Sequence, residues 1–211
     1  DFTVTHALSC KTGGLVILRH NELAKEWHRL CAQALTPSAV SDEPLIHSGQ
    51  DLQAGIKGKG QEVPPAERGD VAAVSFWSRG TTAIFDIRIT DTDGPTYCKR
   101  DPVKVLAAHE KEKKDRYLEA CLARRRQFTP LVFSVDGLRG AEAAAAEKRL
   151  ASLLSAKWNK SYSDVCGFVR SRLSIALVRM LSLCLRGARD PTARASHPVW
   201  GNGAGLGLYR P

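Results

Sequence analysis

Two carboxylates and a small set of cations in this sequence sit where chemistry at a phosphate could use them. Residues 83–89 read Ala-Ile-Phe-Asp-Ile-Arg-Ile, an almost wholly apolar run that predicts a central strand buried on both faces. The strand period of two puts Asp86 and Arg88 on one face. Burying either group unpaired costs several kcal/mol, so each must meet a partner, a metal or a ligand. Upstream, residues 71–76 read Val-Ala-Ala-Val-Ser-Phe, and Ser78-Arg79-Gly80 marks a reversal, so the two segments predict a hairpin. Val71, Ala73 and Ser75 then share one face, and Ala72, Val74 and Phe76 the other. That pairing carries Asp70, at the mouth of the first strand, to the end of the second that holds Asp86 and Arg88. Hard oxygen ligands from one or two carboxylates, completed by water and substrate phosphate, are the usual way to hold Mg²⁺. The same residues are also explained without a metal, by an Asp86–Arg88 pair and by Asp70 as a turn residue.

The elements around this hairpin must position it. Residues 18–35 have helical periodicity, with Leu23, Trp27, Leu30, Cys31 and Ala34 on one stripe, and Pro37 stops the helix. Its expected first turn holds Arg19, His20, Asn21 and Glu22. Glu22 there either complements the helix dipole or points an acid at the same site as Asp70. Asp101-Pro102 supplies an N-cap and a first-position proline for a helix to about Arg126. Val103, Leu106, Ala107, Tyr117, Leu118 and Cys121 form its expected buried stripe. On the helical wheel Glu110 and Lys114 fall within that stripe and Lys113 at its edge, while Lys111 and Glu112 point outward. Charges on a core-facing side either snorkel at its margin or lay a lysine over the carboxylate end of the sheet.

Residues 129–135 predict a second apolar strand, joined by a right-handed crossover. An Ala-rich helix at 141–158 and another from Ser163 to Leu185 follow. Val165, Val169, Leu173, Ala176, Met180 and Leu183 should face inward on the latter. Arg172, Arg179 and Arg186 recur on one of its faces, either as a phosphate-contacting ridge or as a solvated surface.

The chain has 211 residues and a formal net charge of +9, enough length for one domain with an appendage and a charge that favours an anionic partner. No apolar run is long enough to span a membrane and no signal-peptide pattern opens the chain. The only methionine is Met180, so the sequence reads as a piece of a longer protein. The six cysteines show no paired spacing, which points to a reducing compartment. His6 and Cys10 have the spacing of half a tetrahedral zinc site, or are a buried Cys beside an ordinary His. Residues 47–69, rich in Gly, Pro and charge, predict a flexible loop without chemistry, and 188–211 a disordered basic tail.

His6 with Cys10, Arg19-His20-Asn21, the Asp70–Asp86 strand pair, His109–Tyr117 (HEKEKKDRY) and Phe128–Ser134 (FTPLVFS) together resemble the C-terminal region of non-LTR retrotransposon reverse transcriptase polyproteins. In that family a Cys/His knuckle precedes a PD-(D/E)xK endonuclease. The resemblance implies an α/β restriction-endonuclease-like core, a mixed central sheet flanked by helices, over residues 18–187, with 1–17 as the back half of a zinc knuckle. It implies metal-dependent nicking of double-stranded DNA in the nucleus, to prime reverse transcription, with Mg²⁺ or Mn²⁺ as cofactor. Zn²⁺ belongs only if the upstream half of the knuckle is present.

The implied partners are target DNA, the element's RNA and the polymerase domain of the same polyprotein. Asp70 and Asp86 take the places of the metal-binding acids, and Lys113 or Lys114 that of a displaced catalytic lysine; Glu22, outside the matched motifs, is a candidate third acidic ligand or an acid supporting the ligands from behind. Arg19, His20 and Asn21 match the basic motif before the nuclease; Arg172 and Arg179, read from their shared helix face and not from the resemblance, are the further candidate DNA contacts. Gly69 stands where the family has proline, and Arg88 where it has lysine. An arginine stabilises charge but cannot act as a base near neutral pH. A nucleic-acid-binding module without catalysis, or a basic scaffold domain, are the other classes open to this sequence.

Overall fold

A computed structural model describes residues 3–10, 15–47 and 66–187. The helices are α1 (Val4–Ser9), α2 (Leu15–Ala34), α3 (Pro102–Ala123), α4 (Ala141–Trp158) and α5 (Tyr162–Gly187). The strands are β1 (Val40–Asp42), β2 (Leu45–His47), β3 (Glu67–Arg68), β4 (Val71–Val74), β5 (Thr82–Thr90) and β6 (Arg126–Ser134). They build a mixed four-stranded sheet in the order β1-β4-β5-β6 and a small antiparallel β2–β3 ladder. Strand β5 is central, antiparallel to β4 and parallel to β6. The parallel join requires a crossover, which α3 supplies.

Helices α2, α4 and α5 cover one face, where Trp27, Val71, Phe76, Phe85, Ile87, Leu131 and Leu150 form the main core. Trp27, Phe76 and Phe85 meet edge-on or tilted, with ring centroids 4.9–6.1 Å apart, geometry that the ring quadrupoles favour. Helix α3 covers the other face, with Tyr117 and Cys121 against Ala72, Ile84 and Phe128. Asp101 caps α3, accepting from Val103 N–H at 2.8 Å, with Pro102 at the first helical position.

Several expectations need correction. Phe76 lies on the Val71/Ala73 face, not on the Ala72 face. Ser75 has φ 67°, and this left-handed residue breaks the strand alternation. In α3, Val103 is 62% exposed and Ala107 is exposed, whereas Val105 and His109 are buried. The apolar stripe was therefore displaced around the helix because the buried face includes polar residues. Leu183 on α5 is exposed and Cys184 takes the inward position. Helix α2 begins at Leu15, so Arg19 to Glu22 fall past its first turn. The segment expected as loop contributes β2 and β3 at its two ends; residues 48–65, and the expected tail 188–211, lie outside the described residues.

Candidate active site

The central strand and α3 run past each other so that alternate β5 residues meet successive turns of the helix. Ile84 packs with Tyr117 and Cys121. Asp86 meets Lys113 at 2.7 Å, Arg88 meets Glu112 at 2.7 Å, and Thr90 Oγ1 lies 3.0 Å from His109 Nδ1. Asp86 and Arg88 share a face as the strand period requires, yet they do not pair with each other. Each finds its opposite charge on the helix, so Glu112, expected to point only to solvent, is a partner of the site.

Asp70 reaches the middle of β5, not its end as expected, from the side of β4. Its backbone N–H donates to Phe85 O at 2.9 Å, and its carboxylate Oδ2 accepts from Ile87 N–H at 2.5 Å. The regular β4–β5 ladder begins at Val71, paired with Phe85, so the Asp70 side chain continues the edge pairing where backbone partners stop. His20 Nε2 lies 3.2 Å from Asp70 Oδ2 and 3.1 Å from Ile87 O, while its Nδ1 lies 3.2 Å from Asn21 Oδ1. Three acceptors around one ring favour the doubly protonated imidazolium. The His20 pKa is raised to about 9, chiefly by the hydrogen bond to Asp70, with burial pulling the other way.

The surroundings of Gly69 would not admit a proline. Its N–H donates to Pro44 O at 2.9 Å, and a Cβ there would come within 2.6 Å of Ile84 Cγ2. Proline would lose the donor and crowd the strand.

Asp86 is the electrostatically costly member of the cluster. Its side chain is 8% exposed, and burial raises its pKa despite the ammonium of Lys113 beside it; Asp70 pushes the same way and His20 opposes. Lys113 is the cation that Oδ2 meets, and no other hydrogen-bond donor reaches this buried oxygen among the described residues. A carboxylate oxygen served by one ammonium keeps capacity for a further cation or donor. Asp70 Oδ1 also takes no hydrogen bond among the described residues, and the Ile87 carbonyl, next in sequence to Asp86, shares the His20 Nε2 contact with Asp70 Oδ2. These oxygens fit a hard divalent cation that keeps part of its water shell. The set is small: among the described residues no three His, Cys, Asp or Glu side chains are gathered into a metal cluster.

A cleft of about 300 Å³ opens beside the cluster, lined by Arg19, His20, Arg88, Lys113 and Arg116 with Glu112 as its acid and Val16, Ile87 and Ile89 as apolar wall. Arg19 is 3% exposed, donates to Leu8 O at 3.2 Å and leaves its buried Nε without a partner. Cations thus outnumber acids along this wall, as a phosphate-bearing ligand needs.

The remaining expected site residues fall elsewhere. Lys114 is committed to Glu142 at the start of α4. Glu110 is buried and caps that same helix, accepting from Glu142 N–H at 2.9 Å. Glu22 has no hydrogen bond or ion pair among the described residues; two residues on from His20, it points about 200° around α2 and away from Asp70. Arg172 Nε is held by the buried Glu26 at 2.8 Å, tying α5 to α2, while Arg179 is exposed. His6 lies within α1 and Cys10 ends it, the Cys10 N–H donating to His6 O at 2.8 Å. The Glu112 partnership was open to discovery from the wheel only once α3 was laid against β5. No family model matches the chain, and no curated protein matches it.

Proposed function

We propose that this chain is a metal-dependent DNA endonuclease domain with a restriction-endonuclease-like core, cut from the C-terminal region of a non-LTR retrotransposon polyprotein. It would nick double-stranded DNA in the nucleus so that the freed 3′ hydroxyl primes reverse transcription. The observation that carries the reading is that Asp70 and Asp86 stand together at the middle of β5, with Lys113 on Asp86, beside a basic cleft. The mixed sheet with helices on both faces is compatible with the core.

Asp70, Asp86 and the Ile87 carbonyl are the groups that would hold Mg²⁺ or Mn²⁺. When bound, the metal supplies an activated water and charge stabilisation at the scissile phosphate. The chain's own residues do the rest. Lys113 and the His20 imidazolium present positive charge where negative charge builds on the phosphate. Arg88, held by Glu112 at 2.7 Å, adds to that field and cannot take a proton. On the cleft wall the exposed Arg116, paired with Glu67, would receive a flanking phosphate, and the buried Arg19 would add its charge from behind.

Lys113 already pairs with Asp86, and Arg88 replaces the family's lysine. That combination favours, as the second reading, a nucleic-acid-binding module in which the ammonium stands permanently where a metal would sit. Nicking of supercoiled plasmid by the 211-residue chain, with Mg²⁺ or Mn²⁺ and with EDTA, separates the two. The endonuclease reading expects metal-dependent nicks that vanish in Asp86→Ala and Lys113→Ala but survive in Lys114→Ala. Salt-sensitive plasmid binding with no nick in any metal would hand the site to the binding-module reading.

A further inference from the structure

A second cavity lies on the opposite face of the sheet from α3, at the carboxyl end of β6, and uses none of the residues of the carboxylate cluster. It holds about 200 Å³, below the size of a drug-like ligand site and suited to a single ring system. Phe133 and Leu173 form apolar wall, and Ser174 stands on the exposed side of α5. Into this cavity α4 places Glu147, only 3% exposed. Its Oε2 accepts from Arg139 Nη1 at 2.6 Å. Its Oε1 takes no hydrogen bond among the described residues and is not sealed from the cavity. Arg170, exposed at the rim, acts on Glu147 by its charge.

We propose that this cavity binds a nucleobase, guanine first, through Glu147 and the two arginines. The chemistry follows from the donor and acceptor inventory. One open carboxylate oxygen accepts a ring N–H, and two guanidiniums donate to ring acceptors beside it. Guanine offers both sets, N1–H to the carboxylate and O6 with N7 to arginine. A cation is disfavoured because two guanidiniums outweigh one carboxylate, and a bare phosphate is disfavoured by the carboxylate itself. The apolar walls take the faces of the ring. This site stands whether or not the domain cuts DNA, since its residues are separate from Asp70, Asp86 and Lys113.

The test is NMR titration of the whole chain in EDTA with GMP, CMP and ribose 5-phosphate. The expected result is GMP-induced shifts at Arg139, Glu147 and Ser174, with GMP about tenfold or more tighter than CMP and ribose 5-phosphate without effect. Glu147→Gln should weaken GMP at least tenfold. Should that variant unfold, Ser174→Trp keeps the test open: it fills the mouth from an exposed helix position, leaves the Glu147–Arg139 pair intact and should abolish binding. Equal binding of all three ligands, GMP binding that survives Ser174→Trp, or shifts confined to the Asp70–Lys113 cleft would each overturn the proposal. Plasmid nicking is read separately, so loss of one result leaves the other standing.

Discussion

Asp86→Asn should stabilise the protein near neutral pH, and Lys113→Met should destabilise it. The two partners of the 2.7 Å pair are unequally buried, with the carboxylate 8% and the ammonium 22% exposed. Removing the acid leaves a lysine that can turn its head to water. Removing the lysine leaves a buried carboxylate, which costs about 3 kcal/mol while it remains ionised. The gain in Asp86→Asn is about 1 kcal/mol, because an imperfectly compensated buried charge is replaced by a neutral group of the same shape. At about 2–4 °C per kcal/mol for a chain of this size, the two variants should melt roughly 8–16 °C apart.

The pH dependence fixes the cause. A carboxylate whose folded pKa lies above its unfolded value of 3.8 binds more protons when folded, so it weakens the fold as pH rises through its folded pKa. The advantage of Asp86→Asn is therefore full above that pKa and fades as pH falls toward the unfolded value, disappearing by about pH 3, where both states of the wild-type acid are protonated. Urea denaturation of wild type and both variants from pH 4 to 8 measures it. An Asp86→Asn variant less stable than wild type at pH 8, or a gap that does not change with pH, would refute the reasoning and make Asp86 an ordinary structural ion-pair partner. Stored electrostatic cost of this kind belongs to a site that waits for a ligand.

His20→Gln should lose about 1–2 kcal/mol, a figure discounted because the ring is 32% exposed. Its folded pKa of about 9 exceeds the 6.5 of an ordinary histidine, so the loss is full below about pH 6.5 and fades as pH rises through 9; denaturant midpoints that stay a fixed distance apart from pH 6 to 10 would contradict it. Gly69→Pro should lower stability by about 2–3 kcal/mol through the lost Pro44 hydrogen bond and the Ile84 contact; an unchanged melting temperature would remove this explanation of Gly69. Gly140→Ala places its Cβ against Glu110 Oε1 and should cost about 1–2 kcal/mol of α4 capping. Paired with Glu110→Ala it should add little further loss in a double-mutant cycle, and full additivity would separate the two residues.

The hairpin was legible because its two segments are apolar and bounded by a turn signal, and counting alone brings Asp70 beside Asp86, although β5 runs on to Thr90 and the meeting falls at its middle. Helix α3 announced its start through Asp101-Pro102, and α4 its whole length through alanine. Strand β1, three residues long, is too short to carry a period. The buried face of α3 was misread because it holds His109 and Glu110: the first between Thr90 and Tyr97, at 3.0 and 3.1 Å, the second capping α4. A stripe drawn through apolar residues passes such positions by, since tertiary partners, not hydropathy, make them buriable.

The choice between Lys113 and Lys114 shows the same limit. Both lysines lie close enough on the wheel to face the sheet, and only the packing of α3 on β5 decides between them. Two residues of strand advance about 7 Å, whereas one residue of helix advances about 1.5 Å and rotates the side chain by about 100°. With Thr90 fixed on His109 and Ile84 on Tyr117, Asp86 falls opposite the turn that begins at Lys113, and Lys114 is rotated toward the start of α4, where Glu142 holds it. Sequence periodicity supplies the two candidates, and the register between a strand and a helix, which no local pattern encodes, gives Asp86 its cation.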